Sequence, residues 1–188
     1  MSGHCVGSTG HVTLHGVTSS APVLVHDLVV GMDYGQFSFV GRWHEGDPLQ
    51  LLQAALDGPN IASDGSSIVV CSPHQNNFQM PLRVEVWTHQ PPNDEAQWEE
   101  IFESSLIVEG GALHYQSPTL EATSCHLPDG AYAARICGRG FINRGWPGST
   151  TPGDSWRVQL WPAPTGRAHP PADRRVKAWH PPDTPPAP

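Results

Sequence analysis

The chain has 188 residues, among them 20 prolines and 19 glycines, and a formal charge of −8. Because proline and glycine both interrupt helix interiors, this composition predicts short strands and many turns rather than long helices. An acidic body is a poor direct binder of nucleic acid, since contacts to phosphate need cations. No stretch approaches the roughly 18 apolar residues of a membrane span, so we expect none.

The cysteine pattern and the N-terminus indicate the compartment. The four cysteines are widely spaced, at Cys5, Cys71, Cys125 and Cys137. They form no Cys-x-x-Cys pair and are too few for a disulfide scaffold, which favours a reducing environment. The first residues lack the basic and apolar regions of a signal peptide. We therefore expect a cytoplasmic protein.

The predicted elements are short. Residues 22–30 suit an added strand, and residues 34–40 alternate polar and apolar side chains like a half-buried strand. Residues 47–56 form the best helical segment, because Asp47 can cap it and Pro48 suits its first turn. Further strands are predicted over residues 66–71, 80–89, 98–108, 112–116, 120–127, 131–141 and 154–162.

About eight strands at this spacing predict a single all-β domain, an antiparallel sandwich or jelly roll with one short helix. We divide the chain into an N-terminal extension over residues 1–30, partly disordered, and a sandwich over residues 31–162. Residues 163–188 are rich in proline. We expect them to form a flexible tail with no packed element.

No group of residues in the sequence has both the spacing and the local structure of a known catalytic or metal-binding motif. His11 and His15 have the spacing of helical metal ligands but lie in a segment without a helical pattern. There is no Gly-x-Ser-x-Gly elbow, and Gly138-Arg-Gly140 continues a strand instead of opening a helix. We predict a protein that is not an enzyme and needs no metal or cofactor. A metal-binding domain built on the eleven histidines is the third hypothesis.

An acidic segment is the first candidate site. No lysine or arginine lies between Arg83 and Arg135, whereas nine acidic residues do. Opposite potentials steer and orient protein encounters, so such a segment suits a basic protein surface. The predicted partner-binding residues are Asp94, Glu95, Glu99, Glu100 and Glu103. Without a basic residue nearby, they indicate an exposed electrostatic face.

Tryptophans give the alternative function. The chain has seven. Trp156 suits the core, whereas Trp87 and Trp161 fall on the polar faces of their strands and Trp146 lies in a loop. Exposed aromatic rings on a sandwich can stack on sugars or anchor a protein interface. The alternative is therefore a carbohydrate-binding sandwich that uses Trp87, Trp146 and Trp161.

The order of these motifs resembles a known family. The motifs are Tyr34-Gly-Gln-Phe37, Ala62-Ser-Asp-Gly65 and Leu127-Pro-Asp-Gly-Ala-Tyr132, followed by Asp154-Ser-Trp-Arg-Val-Gln-Leu-Trp161. In order and spacing, residues 33–162 are similar to the competence protein J family, whose namesake inhibits the DNA-entry nuclease of natural transformation. The resemblance implies a nuclease inhibitor without chemistry of its own, whose partner is a basic nuclease.

Overall fold

The fold consists of two packed sheets and one helix. The computed structural model describes residues 21–43, 46–141, 152–163 and 172–181. The strands are β1 (Leu24–Met32), β2 (Gln36–Val40), β3 (Ile61–Ser63), β4 (Ser67–Cys71), β5 (Asn77–Val86), β6 (Glu100–Val108), β7 (Ala112–Gln116), β8 (Thr123–His126), β9 (Gly130–Arg139), β10 (Ser155–Pro162) and β11 (Arg174–Lys177). Helix α1 spans Pro48–Asp57, and a single 3₁₀ turn spans Glu95–Gln97.

The larger sheet has six strands in the order β1-β5-β10-β9-β6-β11, and the smaller has five in the order β3-β4-β2-β7-β8. We call them the six-stranded and the five-stranded layer. All neighbouring strands pair antiparallel except β10 and β5, which are parallel. The prediction of an all-β domain with one short helix is confirmed, and the parallel pair makes the larger sheet mixed.

Strict alternation separates the core from the outer faces. On β5, Leu82, Val84 and Val86 are buried in the main core. Since successive side chains of a strand point to opposite faces, Arg83 and Glu85 lie on the outer face of the six-stranded layer. The strand predicted over residues 80–89 is therefore confirmed in most of its length, since β5 spans Asn77–Val86.

Trp156 on β10 joins the two layers. Its ring meets Phe37 of β2 edge-on at 4.9 Å and Phe141 at 5.6 Å between ring centroids. The ring of Phe102 on β6 stacks on it at 6.4 Å. The indole N–H donates to Asp154 at 3.0 Å, so the single polar atom of this side chain is also satisfied. The sequence prediction of Trp156 as a core residue is confirmed.

Helix α1 covers one edge of the five-stranded layer. As predicted, Asp47 caps it by accepting a hydrogen bond from the backbone N–H of Leu49, and proline occupies its first turn. The buried side of the helix places Ala55 against Ala62 of β3 and Val69 of β4. Within the described residues, no helix is long and apolar enough to cross a membrane.

Two strands lie outside the predicted sandwich boundaries. Strand β1 starts within residues 1–30 and pairs along β5. Strand β11 lies within residues 163–188 and pairs with β6. The expectation that no packed element follows residue 162 is therefore wrong at β11, because ion pairs and a tryptophan anchor this short segment, as described below. Residues 1–20 and the loop with Trp146 lie outside the described residues.

We expect Trp156→Ala to lower the free energy of unfolding by about 3–5 kcal/mol, because it leaves a large cavity between the layers. Trp43→Ala is the matched control. Its side chain is 64% exposed, so we expect a change below about 0.5 kcal/mol. Urea unfolding followed by circular dichroism measures both. Equal losses in the two variants would contradict the assignment of Trp156 as the centre of the core.

Candidate functional site

The acidic segment does not form one exposed face. Glu100 is fully buried, and the side chain of Glu103 is 15% exposed. Asp94 and Glu99 are half-buried, and so is Glu95. The structure therefore corrects the expectation of five exposed, unpaired carboxylates.

The physical reason is that β11 brings cations to the edge of β6. The guanidinium of Arg175 donates from two nitrogens to the carboxylate of Glu100. Arg174 donates to Glu103 through Nε at 2.9 Å. The backbone N–H of Trp179 also donates to Glu100, at 2.9 Å. Arg174, Arg175 and Trp179, all more than seventy residues further along the chain, thus bond to Glu103 and Glu100 of the acidic segment. The two arginines neutralise these carboxylates, which the sequence alone left unpaired.

The other carboxylates of the segment are used inside the molecule as well. Arg157 of β10 donates to both oxygens of Asp94, at 2.7 and 2.8 Å, and these hydrogen bonds lower the pKa of Asp94. Glu99 accepts from the backbone N–H groups of Gly140 and Phe141. Only Glu95 has no side-chain partner among the described residues. The segment is a structural network rather than a free electrostatic surface.

Two tryptophans of the alternative hypothesis, Trp87 and Trp161, are not available for stacking on a sugar. Trp87 and Trp161 lie on the outer face of the six-stranded layer but are each only 9% exposed. They pack on each other and on Ala133, and the guanidinium of Arg135 lies over the ring of Trp161. The expectation that these two rings are exposed is wrong, because neighbouring strands cover their faces. Trp146 lies outside the described residues.

The negative charge is concentrated on the opposite layer. Among the described residues, the five-stranded layer, with α1 and the connections at its ends, has seven carboxylates and one cation, Arg42. The carboxylates are Asp33, Asp47, Asp57, Asp64, Glu109, Glu121 and Asp129. The remaining described residues have nine carboxylates and seven cations. The acidic side of the molecule is therefore the five-stranded layer, with a formal charge of −6 against −2.

A groove of about 520 Å³ runs along the outer face of this layer. Helix α1 forms one wall with Leu49 and Leu52, and the β7–β8 connection forms the other with Pro118 and Leu120. No charged residue lines it. The acidic residues Asp47 and Glu121 adjoin its two walls in sequence. The groove is thus uncharged, with apolar side chains on both walls and an acidic residue next to each wall in sequence.

Trp43 extends the apolar surface beyond the groove. Its side chain is 64% exposed, and that of Leu49 is 73% exposed. The ring of Trp43 lies on His114 of β7, with 5.2 Å between ring centroids. His114 and Gln116 lie on the same face of β7, and Gln116 lines the groove. The sequence analysis did not single out Trp43, because one tryptophan between Arg42 and a histidine follows no strand or helix pattern.

A buried polar cluster closes one end of the sandwich. The Nδ1 atom of His74 lies 2.7 Å from Asp154 Oδ1, and both side chains are fully buried. Asn77 also donates to this carboxylate, at 2.9 Å. The Nε2 atom of His74 is buried and has no hydrogen-bond partner among the described residues. Among the described residues no group of three or more possible ligands could hold a metal ion.

Comparisons with known proteins agree with the fold. No protein-family model matches the chain, and no curated protein sequence is significantly similar to it. The crystal structure of ComJ from Bacillus subtilis, an inhibitor of the DNA degrading activity of NucA, matches with a TM-score of 0.54 and 14% identity. The match covers 73% of this chain and 95% of ComJ.

A second solved structure, the product of crocagin biosynthetic gene J, matches with a TM-score of 0.49 and 12% identity. The match covers 74% of this chain and 97% of the crocagin protein. The match to ComJ supports the resemblance to the competence protein J family at the level of the fold, and at 14% identity it shows the fold alone.

We expect Arg175→Ala to lower the free energy of unfolding by about 3 kcal/mol, because it leaves the carboxylate of Glu100 buried without a cation. The control is Arg174→Ala. Arg174 is 64% exposed and leaves Glu103 paired with Arg135, so the loss should stay below about 1 kcal/mol. Urea unfolding measures both, and equal effects would contradict a buried ion pair at Glu100.

A second prediction concerns pH. The hydrogen bonds from Arg157 lower the pKa of Asp94 in the folded state. The resulting stabilisation is fully present above the pKa of an unfolded aspartate, about 3.9, and is lost as the pH falls through the lower folded value. We expect Asp94→Asn to destabilise the protein more at neutral pH than at about pH 3. Urea midpoints at the two pH values test this, and an unchanged difference would contradict it.

Proposed function

We propose that this protein binds a basic protein partner without catalysing a reaction, in the manner of a nuclease inhibitor. The supporting observation is the acidic, partly apolar face of the five-stranded layer. We call this the groove face and define it by Trp43, Leu49, Leu120 and Glu121. The protein as a whole shares its fold with ComJ, an inhibitor of the DNA degrading activity of NucA.

The groove face has the anatomy of a protein interface. Interfaces place aromatic and large aliphatic side chains at the centre and polar groups at the rim. Trp43 and Leu49 are the exposed apolar groups here, and a tryptophan that loses its remaining exposure is a common source of binding energy. Two exposed carboxylates of the same layer, Asp47 and Glu121, adjoin the walls of the groove in sequence.

The charge of this layer suits a nuclease surface. A groove that holds DNA presents cations, because phosphate contacts need them. Carboxylates on the groove face would pair with those cations, while Trp43 and Leu49 would exclude water. The partner's cations would then no longer be accessible to DNA. The five residues Asp94, Glu95, Glu99, Glu100 and Glu103 have a smaller part in this proposal, because arginines of the chain already neutralise three of them.

Reversing charge on the two layers tests the proposal. We expect Glu121→Lys to weaken partner binding and Glu95→Lys, on the six-stranded layer, to leave it nearly unchanged, although both change the net charge by the same amount. Trp43→Ala should weaken binding about 30-fold or more, as expected of an interface hot spot. Capture from a native lysate supplies the partner, and calorimetry at low and high salt measures the affinities.

Inhibition is measured on the purified partner. DNA degradation by that partner should fall as the protein is added and recover with Trp43→Ala. Loss of binding with Glu95→Lys but not with Glu121→Lys would move the interface to the six-stranded layer. A partner that binds but keeps its full DNA-degrading activity, or that has none, would contradict the inhibitor function.

A further inference from the structure

A second groove, of about 490 Å³, lies on the outer face of the six-stranded layer. The register of the strands shows which residues form the floor of this groove. Val29 of β1 is paired with Pro81 of β5, and Ser155 of β10 with Arg139 of β9. The parallel pairing of Trp156 with Leu82 places Ser155 beside Pro81. These four residues therefore form one row across four strands, apolar at one end and cationic at the other.

Arg139 is the free cation of this row. It is exposed, and its guanidinium lies over the ring of Trp98, 4.8 Å from the centroid. Every other arginine in the described ranges contacts a carboxylate. Arg139 contacts none there. Stacking on Trp98 fixes the position of the guanidinium but leaves its N–H donors without an acceptor among the described residues.

The opposite end of the row is apolar and open. Val29 is 66% exposed, and Pro81 beside it offers no N–H to a ligand. Strands lie about 4.8 Å apart, so the row from Val29 to Arg139 is about 14 Å long. A ligand that fits it has an apolar body of comparable length and a single anionic end.

The surrounding charges limit the anion to one negative charge. Asp27 and Glu85 line the same groove, and Arg83 pairs with both. Arg157 also lines it and is paired with Asp94. Arg139 is therefore the one cation of the lining that pairs with no carboxylate among the described residues. A monocarboxylate matches this single unpaired cation, whereas a doubly charged phosphate would be repelled by the nearby carboxylates.

From this arrangement we propose that the groove binds an amphiphilic monocarboxylate, with its carboxylate on Arg139 and its apolar chain along Pro81 and Val29. Ser155 lies between the two ends and can donate a hydrogen bond to the carboxylate. This site lies on the layer opposite the groove face, so it is a second binding function, independent of the protein partner.

The test uses the full-length protein and decanoate as the probe, with calorimetry as the measurement. Decanol has the same chain without the charge, and decyl phosphate has the same chain with a larger charge. We expect decanoate to bind more tightly than either. Arg139→Gln should weaken decanoate binding about tenfold, the loss of one charge-assisted hydrogen bond. Val29→Glu should weaken it too, because it places a like charge at the apolar end.

Arg174→Gln is the matched control, because Arg174 is an exposed arginine of the same layer that does not line the groove. It should leave decanoate binding unchanged, and circular dichroism verifies that all variants are folded. Equal binding of decanol and decanoate, preference for decyl phosphate, unchanged affinity in Arg139→Gln or no binding of decanoate at millimolar concentration would each overturn the proposal.

Discussion

The buried contact between Asp154 and Trp156 determines how the two layers meet. A carboxylate without solvent is costly unless donors surround it, and Asp154 is bonded by His74, Asn77 and the indole of Trp156. The same indole is the ring on which Phe37 and Phe141 pack. The side chain of Trp156 therefore both donates a hydrogen bond to the buried carboxylate and forms the centre of the aromatic packing. The outer faces, where the two proposed sites lie, depend on this fixed centre.

The sequence predicted what local patterns can encode. The strand at β5 and the start of α1, with its Asp47 cap and Pro48 in the first turn, were both identified, because they depend on neighbours within a few residues. The acidic segment was misjudged for the opposite reason. Its compensating cations, Arg174 and Arg175, lie more than seventy residues away. Only the pairing of β11 with β6 brings them together, and that pairing has no local signature.

The two layers divide the charge between them in different ways. Among the described residues, the six-stranded layer pairs every arginine except Arg139 with a carboxylate, which makes it a cross-linked surface with a small net charge. The five-stranded layer has Arg42 as its single cation among the described residues, so its carboxylates remain the source of the molecule's field. The charge along the sequence cannot distinguish the paired layer from the unpaired one, because the strands of the two layers are interspersed along the chain.

The position of β10 also has a consequence for synthesis. This strand lies in the middle of the six-stranded sheet, between β5 and β9, yet it is translated after both of them. Until it leaves the ribosome, β5 and β9 each have an edge without a partner, and such edges invite pairing with other chains. A nascent chain of this protein therefore has an open main sheet until β10 has been translated, and a chaperone that shields strand edges would protect it during that period.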